Sequence, residues 1–149
     1  MPEPSPTYPV SVKGVVIRDG RVLLLRNDRG EWELPGGRLE RDETPEQCVV
    51  REIAEEVGWT VQPRRLIDAW VYRIEQARRE VVIVTYGCLV DDLAGEPAVS
   101  DEHLEARLFR GEEIALLPLP LGYQRSIRAW QRLLDEGPVA ALTRPDARP

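Results

Sequence analysis

The chain of 149 residues, 42% apolar and 31% charged, has the composition of a globular domain long enough to bury roughly two-thirds of the surface its unfolded form exposes, and no stretch approaches the ~20 consecutive apolar residues of a membrane helix. A net charge of −6 argues against the basic surface that sequence-independent nucleic-acid binding needs, while leaving room for a small anionic ligand held through a cation. Cys48 and Cys88 have no His or second Cys at ligand spacing, so they are expected as small core residues and not as a disulfide or zinc framework.

The opening "MPEPSPTYP" has neither the basic nor the apolar segment of a signal peptide and reads as a polyproline-like lead-in, flexible over about residues 1–8, with the cytoplasm as the expected location. A valine-rich strand follows from Tyr8 to Ile17. Asp19-Gly20 signals a hairpin turn, and "VLLLR" at 22–26 is the return strand. Trp32 and Leu34 alternate with Glu31 and Glu33 in a short strand that Pro35 ends, and Gly36-Gly37 is expected as a loop. Thr44 as N-cap, Pro45 at the first helical position and Gln47 completing a capping box then mark a helix start, which Gly58 stops. At about 100° per residue, Val50, Ile53, Ala54 and Val57 share the core side, and Glu52, Glu55 and Glu56 lie away from it. Strands are expected at 65–75 and 80–90, the second apolar enough to be covered on both faces. The loop "DDLAGEPAVSDEH" leads to a strand at 104–110. A last helix, about Tyr123 to Leu134, carries Tyr123, Ile127, Trp130 and Leu134 on one stripe, and residues 137–149 are expected as a flexible tail. No repeat or linker divides the chain, so 1–149 is read as a single domain of class α/β, a mixed sheet between helices.

The chemistry concentrates in "REIAEEVG". Carboxylates near a helix C-terminus repel one another and oppose the helix dipole, so something must offset that cost. Acids at i, i+3 and i+4 supply part of the hard-oxygen shell that Mg²⁺ or Mn²⁺ requires, with water and phosphate completing it. Gly36 and Gly37 let backbone approach a metal or phosphate without a side chain between. Arg51 is spaced to pair with a carboxylate and hold its orientation. The bland alternative is a solvated acidic face.

Gly37, five residues, Glu43, seven residues and then "REIAEEVGW", Arg51 to Trp59, resembles the Nudix box of the MutT-like nucleoside-diphosphate-X hydrolases, with every polar and glycine position filled. Trp59 departs from the aliphatic residue usual there. The resemblance implies the Nudix α/β/α sandwich, with Glu52, Glu55 and Glu56 as ligands of Mg²⁺ (Mn²⁺ as substitute) and the carbonyl of Gly37 as a further ligand. It also implies that Glu43 and Arg51 pair to brace the loop against the helix, and that water attacks a diphosphate phosphorus to break a P–O–P link. The general base is left among the box glutamates and the late acids Glu102 and Glu105. His103, the one histidine, is expected as a loop residue and not a catalyst.

The resemblance implies a small-molecule nucleotide partner, no nucleic acid duplex, no membrane, and a monomer or homodimer. The box and its lead-in look closest to enzymes acting on (deoxy)nucleoside triphosphates. ADP-ribose or nucleotide-sugar hydrolysis is the alternative, although the stretch Tyr72 to Gln76 lacks a proline that ADP-ribose hydrolases often carry past the box. A non-catalytic nucleotide sensor is the third reading, and the complete set of acids counts against it. Trp70, Tyr72 and Tyr86 are candidates to stack a base, or else core aromatics.

Overall fold

Alternating apolar residues set the sheet. In the computed structural model, which describes residues 2–137, strand β1 (Val10–Arg18) turns at Asp19-Gly20 into β2 (Arg21–Arg26). Both turn residues have positive φ (53° and 75°), the conformation that a two-residue hairpin needs and that Asp-Gly tolerates. Two short strands follow, β3 (Trp32–Glu33) and β4 (Gly36–Arg38). After helix α1 (Pro45–Val57) come β5 (Val61–Ile74), β6 (Arg79–Val90) and β7 (Glu105–Arg110), then the single turn α2 (Gly111–Ile114) and helix α3 (Leu121–Asp135). Of the tail expected at 137–149, all but Gly137 lies outside the described residues.

The sheet runs β3-β2-β1-β6-β5, with β4 also paired to β1 and β7 to β2. β1 and β6 pair in parallel and their neighbours antiparallel, which makes the sheet mixed. Successive side chains of a strand point to opposite faces. Val12, Val16, Leu23, Leu25 and Cys88 therefore meet Val49, Ile53 and Val57 of α1 on one side. Val15, Val22, Leu24, Val81 and Ile83 meet Tyr123, Ile127 and Trp130 of α3 on the other. The result is the expected α/β/α sandwich. β6 is covered on both faces, as its apolar sequence requires, and both cysteines are free and buried. Close helix–sheet contact needs a missing side chain in β6: a Cβ on Gly87 would fall within the Trp130 ring. Among the described residues, no helix is long and apolar enough to cross a membrane.

Three expectations are corrected. Gly36-Gly37 is not a loop but the core of β4, pairing with Lys13 and Val12. Gly36 has φ 135°, and a Cβ there would stand 2.0 Å from the Val12 carbonyl oxygen, so a glycine is what allows this strand to form. Strand β5 begins at Val61, earlier than 65, because β6 offers partners down to Val90. The buried face of α1 is Cys48, Val49, Ile53, Glu56 and Val57. Ala54, expected on the core side, is exposed, and Glu56, expected away from it, is inside.

Candidate active site

Helix α1 starts where local signals place it. The Thr44 hydroxyl accepts from Gln47 N–H (3.2 Å), and the Gln47 side chain accepts from Thr44 N–H (2.9 Å). Gly58 closes the helix in the left-handed region (φ 75°). These caps fix the rotation of the last two turns, and hence where the acids stand.

Arg51 is the hub of the outer side. Its Nε and Nη2 donate to the two Glu43 oxygens (2.7 and 3.0 Å), a bidentate pair, and Nη2 also reaches the Arg38 carbonyl (3.2 Å). Nη1 donates to Glu52 (3.0 Å) and Glu55 (3.3 Å). The guanidinium thus ties the 38–43 segment to the acid turns. Hydrogen bonding from Arg51 holds the Glu43 carboxyl down at about 2. Burial pushes Glu52 above its ordinary value against the pull of Arg51. A Cβ on Gly37 would stand 2.5 Å from the Glu52 carboxylate, so only glycine leaves that carboxylate its place.

Glu56 occupies the inner side. Its residue is 4% exposed, its Oε1 accepts from Gly36 N–H at 2.7 Å, and its Oε2 lies 3.6 Å from His103 Nδ1. Burial raises its pKa to about 7, a rise that Lys13, the Gly36 N–H and His103 only moderate. Beneath it sits Lys13 on β1, 7% exposed, with Nζ donating to the Gly36 carbonyl (3.3 Å). Burial opposes the Lys13 charge, but Glu33, Tyr123, Glu56 and Glu52 together outweigh it and raise the pKa. Glu33 in turn contacts His103 Nε2 (2.8 Å) and accepts from Asn27 (3.4 Å). Its carboxyl resists the upward push of burial and is held at about 2 by Lys13 and His103. Hydrogen bonding to Glu33 keeps the His103 pKa above its usual value despite burial.

A cleft of about 230 Å³ opens over this turn, lined by Glu52, Glu55, Glu56, Ser100, Asp101 and Glu102. The structure therefore brings Glu102 to the box glutamates across a long sequence gap. It does not bring Glu105, which begins β7 and pairs with Arg26 (3.9 Å) and Arg107 (3.5 Å). Gly37 stands against Glu52 without lining the cleft, and its carbonyl faces Cys48 Sγ at 3.5 Å. Of the aromatics, Tyr86 packs in the α1 core with its hydroxyl donating to Glu46 (2.7 Å). Trp70 packs edge-on with Tyr72 and Tyr123, and Tyr72 stacks on Tyr123.

Sequence reading missed Lys13, Glu33, Asp101 and the contacts of His103 with Glu33 and Glu56. His103 is a loop residue as expected, yet it is wedged between two acids. The signal for Lys13 was its being the one lysine of a sequence with 19 arginines, set among the valines of β1.

The donor chemistry of the cleft, carboxylates beside a glycine strand, suits Mg²⁺ or Mn²⁺. As they stand, no group of three or more His, Cys, Asp or Glu side chains among the described residues is arranged around one point to hold an ion. Arg51 engages Glu52 and Glu55 instead, so binding a cation means exchanging those contacts.

A mixed sheet between two helices thus carries an acid-lined cleft at the C-terminal turns of α1, beside the glycine strand β4. The NUDIX domain model matches residues 7–130, and the chain belongs to that family. The "ADP-ribose pyrophosphatase" of Methanocaldococcus jannaschii is 30% identical over 83% of this chain and 73% of its own length. The "Putative 8-oxo-dGTP diphosphatase 3" of Mycobacterium tuberculosis is 38% identical over 84% of this chain and 57% of its own length. The chain spans about half the length of other curated relatives that it matches. The crystal structure of the MutT protein from Methanosarcina mazei superimposes with a TM-score of 0.71 at 26% identity, covering 84% of this chain and 94% of that one.

Proposed function

We propose that the protein is a Mg²⁺-dependent pyrophosphohydrolase, with Mn²⁺ as substitute, that cleaves a nucleoside diphosphate linked to another group, foremost a (deoxy)nucleoside triphosphate. The observation that carries this reading is the cleft where Glu52, Glu55 and Glu56 face Asp101 and Glu102. Carboxylates gathered around one opening repel one another, and a divalent cation would relieve that repulsion and bridge them to a substrate diphosphate.

In this reading Glu52, Glu55 and Glu56 hold the cation, with the Gly37 carbonyl as a further ligand. Arg51 and Glu43 keep the segment before the helix at a fixed distance from the acids. The bound cation neutralises phosphate charge and acidifies the attacking water. A carboxylate of the cleft, a box glutamate or Glu102, accepts the water proton as the P–O–P link breaks. Lys13, behind Glu56 and Glu52, supports their ionised forms. The protein acts as a single domain of 1–149 in the cytoplasm, as a monomer or homodimer.

ADP-ribose or a nucleotide sugar is the second reading, supported by the name of the archaeal relative that aligns over most of this chain. The chemical act is the same, and the two differ in the group that leaves. The test is a product screen with Mg²⁺ against nucleoside triphosphates, 8-oxo-dGTP, ADP-ribose, nucleotide sugars and dinucleoside polyphosphates. The Glu55→Gln variant serves as control, because its side chain is 58% exposed and its loss should leave the fold intact. Turnover should fall by at least ~100-fold in that variant, as when electrostatic support of a transition state is removed. If no compound is cleaved, the sensor reading replaces this one; full activity in Glu55→Gln removes Glu55 from the cation site.

A further inference from the structure

The loop between β6 and β7 is fastened at both ends. At its start, Trp59 Nε1 donates to the Gly95 carbonyl (2.9 Å), and Arg18 Nη1 donates to the carbonyls of Ala94 (2.5 Å) and Gly95 (3.1 Å). The Arg18 guanidinium lies over the Trp59 ring, 4.7 Å from its centroid, and Ala98 N–H reaches the Val57 carbonyl at 3.0 Å. At its end, Leu104 N–H donates to the Arg26 carbonyl (3.0 Å), and His103 meets Glu33 (2.8 Å). The span between these fastenings carries Ser100, Asp101 and Glu102 to the cleft.

Electrostatics works against this placement. Asp101 and Glu102 face Glu52, Glu55 and Glu56, and like charges at the mouth of a cleft push the loop outward. A loop of this length also gains conformational entropy on release. The attachments at 94–98 oppose both tendencies. Trp59 is 2% exposed, and an aliphatic side chain in its place would offer no N–H. Its indole packs in the α1 core on one side and hooks the loop on the other, so core rigidity reaches the acids of the opposite wall.

We propose that Trp59, with Arg18 stacked on it, is a positioning residue: it fixes Ala94–Gly95 and thereby holds Asp101 and Glu102 over the box glutamates. The proposal rests on the pyrophosphohydrolase reading for its activity and Mn²⁺ readouts, and the amide-exchange test stands apart from that reading. Two of its tests need no substrate.

Trp59→Phe keeps the ring and its packing but loses the N–H. In the cation-free variant, amide exchange at Ala98 should speed up ~5-fold, the effect of about one net hydrogen bond, while exchange at Val84 in the central strand β6 stays unchanged. Mn²⁺ alone, titrated by paramagnetic resonance, should bind ~5-fold more weakly, and turnover on any substrate found should fall in kcat with KM little changed. In an Asp101→Asn, Glu102→Gln background, Trp59→Phe should have no further effect on Mn²⁺ affinity, because the acids it positions are gone. Arg18→Met, which removes the other donors to the same carbonyls from outside the core, should act in the same direction. Wild-type Ala98 exchange in both variants overturns the proposal, as does an equal loss of Mn²⁺ affinity in the two backgrounds.

Discussion

Glu56→Gln, in protein freed of cations, is expected to raise stability at pH 8 and change it little at pH 4.5. The carboxyl is buried, and burial holds its pKa at about 7, above the ordinary 4.5. Between those values the folded protein retains a proton that the unfolded chain releases. Stability therefore falls as pH rises through that window, and the deficit is complete above about pH 7. The difference between 7 and 4.5, at ~1.4 kcal/mol per pH unit, sets the deficit at about 3 kcal/mol. The attraction of Lys13 is already contained in that figure, since it is one of the influences that set the pKa. Gln retains an oxygen to accept from Gly36 N–H, which Glu56 now does at 2.7 Å. The variant should thus recover most of the deficit, a rise in Tm of ~6–12 °C for a domain of this size. Thermal melts in EDTA at pH 4.5, 6 and 8 measure it. Adding Mg²⁺ should then narrow the gap, because the cation supports the wild-type carboxylate and has less to bind in the variant. A variant no more stable than wild type at pH 8, or one that gains as much at pH 4.5, would refute the reasoning.

Arg51→Lys should weaken Mn²⁺ binding by ~10–100-fold with the fold retained, because an ammonium cannot hold Glu43 bidentately while reaching the Arg38 carbonyl, and the segment before the helix loses its brace. A Mn²⁺ titration that gives equal or tighter binding means that Arg51 competes with the cation instead of bracing the site. Gly87→Ala drives a methyl group into the Trp130 ring, which is 0% exposed and has no room to yield. A thermal melt should show a loss of ~1–3 kcal/mol, the usual cost of overpacking a close-packed core, and an unchanged Tm would mean that α3 is loosely seated.

Elements with local causes were legible in the sequence. The Asp19-Gly20 hairpin needs positive φ at two adjacent residues, and α1 carries its own caps; both arise within a few residues and hold in the structure. Arg51 and Glu55 stand four residues apart on α1, so their contact follows from helix geometry. Strand β4 was not legible, because a glycine pair has loop composition and becomes a strand only when pressed on β1. Glu56 was placed with the solvated acids because helical angle says nothing of what covers a face, and Gly36, Lys13 and His103 arrive from elsewhere in the chain. The same holds for Lys13, Glu33 and His103, which come from β1, β3 and the late loop. Each is an ordinary polar residue in its own segment, and only the packed sheet brings them together around Glu56.

Lys13 has a consequence for handling the protein. It is the one lysine of the sequence, and it lies buried in β1 with β4 and β6 paired on either side. Amine-reactive labels and lysine-specific proteases therefore find no accessible lysine side chain in the native state. Cleavage after Lys13 requires the central strand to leave the sheet, and it divides the sequence once, into pieces of 13 and 136 residues (149 less 13). The appearance of that single cut, followed over time in native buffer, counts openings of the central sheet and ignores fraying elsewhere.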